Sequence, residues 1–179
     1  MEFREERLGK LIEDLGEMRY RNTVLLENFD VDKKWEDGVH SILRHRIILP
    51  DCFDGKYVEF CLSTGREGEW DAINPQFQLF INQKRVQGMD VNHRTAVLTE
   101  DGKKEEAFDL ELRSYTKYQN RPILLRGEIR EVDKEVEELY YDLRVAFQVA
   151  CLLEKEEENY RKLIGVLESA CGHLDLRKP

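Results

Sequence analysis

The sequence predicts a mainly β protein: an antiparallel β-sandwich of the jelly-roll or galactose-binding-like type, with helices at both ends. Between about residues 39 and 130, short runs rich in β-branched and aromatic side chains alternate with turn signals, and no helical period interrupts them. Before and after this region, apolar residues recur at three- and four-residue spacing. We therefore expect a helix and lead-in over 1–34, a β-sandwich domain over 35–130 and a helical segment over 131–179.

The first expected element is a helix over 3–20, whose apolar face consists of Leu8, Leu11, Ile12, Leu15 and Met18. Strands are then expected over 39–49, 56–63, 76–82, 94–99, 107–115 and 123–128. Turn-forming pairs such as Asp54-Gly55 and Asp101-Gly102 separate these strands. Apolar alternation from Phe77 to Ile81, followed by a turn at Asn82-Gln83-Lys84, predicts a hairpin with one further short strand.

After Ile129 the apolar period returns to that of a helix, which we expect to extend to Leu153. A second helix is expected over 156–170, with Gly172 just beyond its end. The apolar faces of these two helices are wide, so they are candidates for contact with a further domain or with a second copy of the chain.

Composition limits the class of partner and the compartment. The 179 residues carry a net charge of −9, which argues against nucleic acids and anionic membranes as partners. The four cysteines form no Cys-x-x-Cys pair, there is no Asn-x-Ser/Thr acceptor, and no apolar run approaches the length of a membrane span. The N-terminus lacks the apolar core of a signal peptide. These features favour a cytoplasmic protein with buried free thiols.

The segment Gly88-x-Asp90-x-x-His93, followed by Arg94, is the first candidate site. We expect Gly88 to take a positive φ, which residues with a Cβ rarely adopt. Asp90 and His93 either contact a sugar or a neighbouring active site, or serve a structural role. In the structural alternative, Asp90 accepts backbone N–H bonds within the loop and His93 completes that network.

Exposed aromatic side chains are the second candidate site, because ring faces can stack on the C–H surfaces of sugars. The candidates are Trp35, Trp70, Tyr115 and Tyr118, and Trp70 lies in the longest loop without a pattern, 64–75. Alternatively, the two tryptophans cap the core. His40 and His45 fall on opposite faces of one strand, and no pair of acids stands out. We therefore expect no metal site and no catalytic pair in this segment.

Several stretches, taken in order, resemble the N-terminal β-sandwich of the family 38 α-mannosidases of the intracellular type. They are VHSILRHRIILP at 39–50, Gly65-x-x-Gly68-Glu69, the strand, turn and Gly-x-Asp-x-x-His element at 79–94, and the helical segment at 125–153. The resemblance covers roughly 35–155. It departs at the hairpin turn, where Asn82-Gln83 stands in place of the Asn-Gly or Asp-Gly usual in the family.

The resemblance implies a non-catalytic accessory domain of a retaining α-mannosidase. Zinc or a similar divalent ion would then belong to a catalytic domain outside this segment, and the partners would be that domain and, for the whole enzyme, a mannoside substrate. A homo-oligomer is a further possibility. Asp90, His93, Arg94 and Trp70 are the residues expected near a sugar or a domain interface. The alternatives are a stand-alone carbohydrate-binding module and an interaction domain that binds no sugar.

Overall fold

A computed structural model describes residues 2–32, 40–65, 67, 75–115 and 124–176. The described residues form two β-sheets and three helices, which confirms the predicted fold class. The chain divides into two compact units: one comprises Asn22–Val132, and the other joins Met1–Arg21 with Asp133–Pro179.

The elements follow one another in this order: α1 (Glu2–Glu17), β1 (Tyr20–Leu26), β2 (Asp30–Val31), β3 (His40–Ile48), a 3-10 turn (Asp51–Phe53), β4 (Val58–Ser63), β5 (Gln76–Ile81), β6 (Lys84–Met89), β7 (Thr95–Thr99), β8 (Ala107–Tyr115), β9 (Arg126–Val132), α2 (Lys134–Cys151) and α3 (Glu158–Gly172). One sheet has the strand order β1-β9-β4-β7 and the other the order β2-β3-β8-β5-β6. β8 pairs antiparallel with both β3 and β5, so it forms the centre of the five-stranded sheet.

The core of the sandwich unit is built from the inward faces of both sheets. Along β8, Phe108, Leu110 and Leu112 are buried, while the residues between them belong to the opposite face. This two-residue alternation follows from the pleat of a strand. The same apolar cluster takes buried side chains from β3, β4, β5 and β9, together with Phe53 from the 3-10 turn. The outward-facing side chains of the five-stranded sheet are thereby held in fixed rows.

The helical unit has a core of its own. Leu8, Ile12 and Leu15 of α1 pack in one cluster with buried residues of α2 and α3, which are Leu143, Ala150, Tyr160, Ile164, Leu167 and Cys171. The side chain of Asp133 begins α2 by accepting the backbone N–H of Val136 at 3.1 Å. Part of the wide apolar face expected on α2 and α3 is therefore covered by α1 within this unit.

Several boundaries differ from the sequence predictions. The first helix ends at Glu17, and the strands β1 and β2 were not predicted, because most of their residues are exposed and show no apolar alternation. The strand expected over 123–128 instead spans Arg126–Val132. Glu128 and Glu131 are buried within it, and these polar residues interrupt the apolar pattern from which strands are predicted. Helix α3 continues through Gly172 instead of ending before it.

The four cysteines are free, but only Cys61 and Cys171 are buried, whereas Cys52 and Cys151 are exposed. The expectation of buried thiols is therefore wrong for two of the four. In the part of the chain that the structure describes, no helix is long and apolar enough to cross a bilayer.

Candidate ligand-binding face

The outward face of the five-stranded sheet is polar, and the strand register sets its side chains in rows. His40, Tyr115 and Gln76 occupy one row across β3, β8 and β5. The next outward row contains Arg113, Gln78 and Gly88. Because side chains alternate between faces, these rows point away from the apolar core. The face therefore combines aromatic, amide and cationic groups at fixed spacing.

One half of this face is a ladder of ion pairs. Glu111 accepts hydrogen bonds from Arg113 at 2.7 Å and from Arg44 at 3.0 Å, and Arg46 pairs with Asp109 at 3.2 Å. The hydrogen bond from Arg113 is the main reason why the pKa of Glu111 is below its usual value. These pairs line a depression of about 670 Å³. Its arginines already have carboxylate partners, so it offers little unsatisfied charge to a ligand.

The other half of the face is a second depression, of about 660 Å³, which we call the Tyr115 depression. Its lining comes from β3, β5, β6, β8 and the loop after β6: His40, Gln76, Phe77, Gln78, Arg85, Gly88, Met89, Asp90, His93, Arg113, Ser114 and Tyr115. Tyr115 is 41% exposed, and the centroid of its ring lies 5.0 Å from that of His40. Buried Tyr rings serve the core, but this one is available to stack on a ligand.

Polar groups around this ring are free to bond. Among the described residues, Arg85 has no ion-pair partner, and the side chains of Gln76 and Gln78 make no hydrogen bond. The guanidinium of Arg113 lies 4.2 Å from the centroid of the Phe80 ring, which fixes its position. An exposed aromatic ring bordered by amides and guanidinium groups can stack on one face of a sugar and donate to its hydroxyl groups.

The loop that follows β6 closes one side of the Tyr115 depression. Oδ1 of Asp90 accepts the backbone N–H groups of Asn92 and His93, each at 2.8 Å, and contacts Nδ1 of His93 at 3.0 Å. Partial burial raises the pKa of Asp90, but the hydrogen bonds from His93 and Asn92 outweigh it and hold the pKa below its usual value. This is the arrangement expected if Asp90 and His93 have a structural role.

The prediction for Gly88 is wrong. Gly88 lies inside β6, opposite Gln78, and its φ is not positive. A Cβ at this position would come no closer than 3.9 Å to the carbonyl oxygen of Phe77, which is an ordinary contact. The chain reverses two residues later, at Asp90, where side-chain hydrogen bonds shape the turn. Gly88 instead forms part of the depression, since it is exposed and has no side chain.

The four predicted site residues have different positions. Asp90 and His93 line the Tyr115 depression, together with the predicted aromatic candidate Tyr115. Arg94 is half-buried; its Nε donates to the carbonyl oxygen of Leu62 and lies 3.8 Å from Oε1 of Glu67. Arg94 therefore supports the contact between β4 and the loop after it. Trp70, like Trp35 and Tyr118, lies outside the described residues.

Sequence reasoning missed His40, Arg85 and Arg113 as members of this site. Each lies on a different strand, and their proximity depends on the order β3-β8-β5-β6, which no local pattern reveals. The available signal was the two-residue alternation, which places Arg113 and Tyr115 on the same face of β8.

The lining suits binding better than hydrolysis. A glycosidase needs two carboxyl groups about 5–10 Å apart. Asp90 supplies the one carboxylate among the described residues that line the Tyr115 depression, and its oxygens are engaged by its own loop. Within the described residues, no group of three or more His, Cys, Asp or Glu side chains could hold a metal ion.

No family model matches the chain, and no curated protein matches it in sequence. Among solved structures, it is similar to a β-glucuronidase from Ruminococcus gnavus (9% identity, TM-score 0.37, covering 63% of this chain and 30% of that one). It is also similar to the secreted serine protease VesC from Vibrio cholerae (13%, 0.28, 70% and 27%). A third match is the CBM51-2 and INT domains of ZmpB from Clostridium perfringens (11%, 0.27, 87% and 44%).

The chain thus spans less than half the length of each of these structures. The three proteins differ in activity, and the low identities and TM-scores carry no argument about function.

Proposed function

We propose that this chain is a non-catalytic accessory domain of a carbohydrate-active enzyme, specifically the N-terminal β-sandwich of an α-mannosidase. One observation supports the proposal most. Described parts of the segments that resemble the family 38 enzymes fall on defined structural elements in the same chain order: β3, the β5–β6 hairpin with its Asp90–His93 loop, and β9 leading into α2. A sandwich followed by a helix is also the architecture that the resemblance implies.

In this proposal, the hydrolytic chemistry and its zinc or similar divalent ion belong to a catalytic domain outside the chain. The coding sequence after residue 179 is the sharpest test. We expect it to continue and to encode a His-x-Asp segment of the kind that holds metal in the family. A stop codon directly after Pro179 would contradict the proposal.

The proposal also has a biochemical test. We expect the purified chain to leave an aryl α-mannoside intact, with or without added Zn²⁺. Hydrolysis needs two available carboxyl groups, whereas Asp109 and Glu111 in one depression are held by arginines and Asp90 in the other is engaged by its own loop. Turnover above that of a heat-killed sample would show that the chain is catalytic by itself. A catalytically competent relative, assayed in parallel, controls for the quality of substrate and metal.

A second role, carbohydrate binding by the sandwich itself, is favoured by the Tyr115 depression. Its exposed ring, and the amides of Gln76 and Gln78 that have no hydrogen-bond partner in the described part of the chain, suit the binding of a sugar. Titration calorimetry with mannose-containing oligosaccharides tests this role. Tyr115→Ala should abolish the binding heat. Unchanged heat in this variant, or no heat with any sugar, would remove carbohydrate binding from the function.

A further inference from the structure

We infer that the Tyr115 depression recognises a saccharide that carries a negative charge, either a sugar phosphate or a uronate. The inference rests on the carbohydrate-binding role proposed above, and it adds the charge of the ligand. Its basis is the balance of charged groups around the depression, which differs from that of the protein as a whole.

The charges next to the Tyr115 depression are in cationic excess. Glu111 is the single carboxylate that accepts from both Arg44 and Arg113. Arg85 lines the same depression as Arg113 and has no carboxylate partner among the described residues. Asp90, the one acid in the lining, is engaged by the N–H groups of its own loop. The protein carries a net charge of −9, so this is a local reversal of sign.

Arg113 and Arg85 are both neighbours of one side chain, Phe80. The guanidinium of Arg113 lies over the ring of Phe80, and Arg85 is the direct cross-strand partner of Phe80. Cross-strand partners have Cβ atoms about 5 Å apart, so the side chain of Arg85 begins beside Phe80. Arg113 donates its Nε–H to Glu111, so Arg85 is the guanidinium here without a carboxylate partner among the described residues. The fork of N–H groups of such an arginine suits the oxygens of a phosphate or carboxylate.

The aromatic platform lies at a suitable distance from this cationic point. Tyr115 and Arg113 lie on the same face of β8, two residues apart, which corresponds to roughly 7 Å along a strand. That span is comparable with one sugar ring and its exocyclic substituent. A pyranose stacked on Tyr115 therefore extends a charged substituent toward Arg113 and Arg85. The side-chain amides of Gln76 and Gln78 lie beside this path.

Calorimetric titration of the whole chain tests the inference with mannose 6-phosphate, glucuronic acid, methyl α-mannoside and inorganic phosphate. We expect at least one of the two charged sugars to bind about tenfold more tightly than the neutral mannoside, and the better of the two identifies the anion. Added NaCl should weaken the charged sugar selectively.

Arg85→Ala should lower the affinity for the charged sugar about tenfold and the affinity for the neutral sugar by a much smaller factor. Arg46→Ala is the matched control, since Arg46 lies on the same sheet face but lines the other depression and is paired with Asp109. Gly88→Val should block both sugars, because its new side chain protrudes from the exposed face of β6 into the lining.

The outcomes separate the two proposals. Equal affinity for neutral and charged sugars, with no effect of Arg85→Ala, would overturn the charge preference and leave carbohydrate binding standing. Inorganic phosphate binding as tightly as the sugar phosphate would overturn recognition of a saccharide. No heat with any of the four compounds would overturn both.

Discussion

Replacement of Asp90 by Ala should destabilise the sandwich unit by about 1–2 kcal/mol. The side chain accepts two backbone N–H groups at 2.8 Å and contacts the ring of His93 at 3.0 Å. Hydrogen bonds to a charged group contribute about 1.5–3 kcal/mol each when buried. Here Asn92 and His93 are exposed, so water can take over their freed N–H groups and the loss is smaller. About 0.5–1 kcal/mol for each backbone bond gives the expected total.

Urea unfolding followed by circular dichroism measures this loss, and Asp109→Ala is the matched control. Asp109 is also a carboxylate of this unit, but it is 61% exposed and pairs with the 65% exposed Arg46. Exposed ion pairs contribute about 0–1 kcal/mol, so the control should change little. Equal stability of the two variants would refute the reasoning that the Asp90 network holds the loop.

The carboxylate of Asp90 should also make the stability of the protein depend on pH. The pKa of Asp90 is lowered in the folded protein, so its contribution is fully present above the unfolded pKa of about 3.9. The contribution is lost as the pH falls from about 3.9 through the lowered folded pKa. Asp90→Asn should therefore reduce the fall in the free energy of unfolding below about pH 4. The slope of this free energy against pH should stay unchanged near neutral pH. If the free energy of unfolding falls as steeply below about pH 4 in the variant as in the wild type, the stabilising role of the Asp90 carboxylate is contradicted.

Four further substitutions test particular backbone positions, all by urea unfolding. Gly102→Ala should destabilise the protein by about 1–3 kcal/mol, because its Cβ would lie 2.5 Å from the carbonyl oxygen of Phe53. Gly165→Ala, in open space on α3, should instead stabilise it by about 0.5–1 kcal/mol. The opposite order of stabilities would contradict the packing around Gly102. Gln83→Gly should stabilise by up to about 1 kcal/mol, because Asn82 and Gln83 both have positive φ, and a loss of stability would argue against that turn. Gly88→Val should leave stability unchanged within about 1 kcal/mol, since β6 is extended there, and a larger loss would restore the strained conformation first expected at Gly88.

The extent to which sequence predicted this fold differs between its elements. The alternation of Phe108, Leu110 and Leu112 located β8 correctly, because each of these side chains faces the core. The strand β1 was not predicted, because edge strands with mostly exposed residues lack that pattern. β9 was predicted too early in the chain because Glu128 and Glu131, which pair with Arg130 and Lys56, are buried, and buried acids interrupt the apolar pattern.

The candidate site was predictable only in part. Asp90, His93 and Tyr115 could be identified as chemical groups, the first two from a six-residue cluster and the third as an aromatic ring. Their proximity depends on long-range pairing, because β8 lies between β3 and β5 in the sheet. Arg85 and Arg113 are typical surface residues in sequence. What distinguishes Arg85 is the absence of a carboxylate partner among the described residues, which only the folded arrangement reveals.

We propose that the outer face of the five-stranded sheet binds carbohydrate in the Tyr115 depression. Amide chemical-shift mapping of the labelled chain, titrated with mannose 6-phosphate and with methyl α-mannoside, tests it most directly. We expect shifts concentrated in 76–78, 85–93 and 113–115, with residues of α2 and α3 unchanged. Shifts confined to the helical unit, or no shifts with either sugar, would contradict the claim.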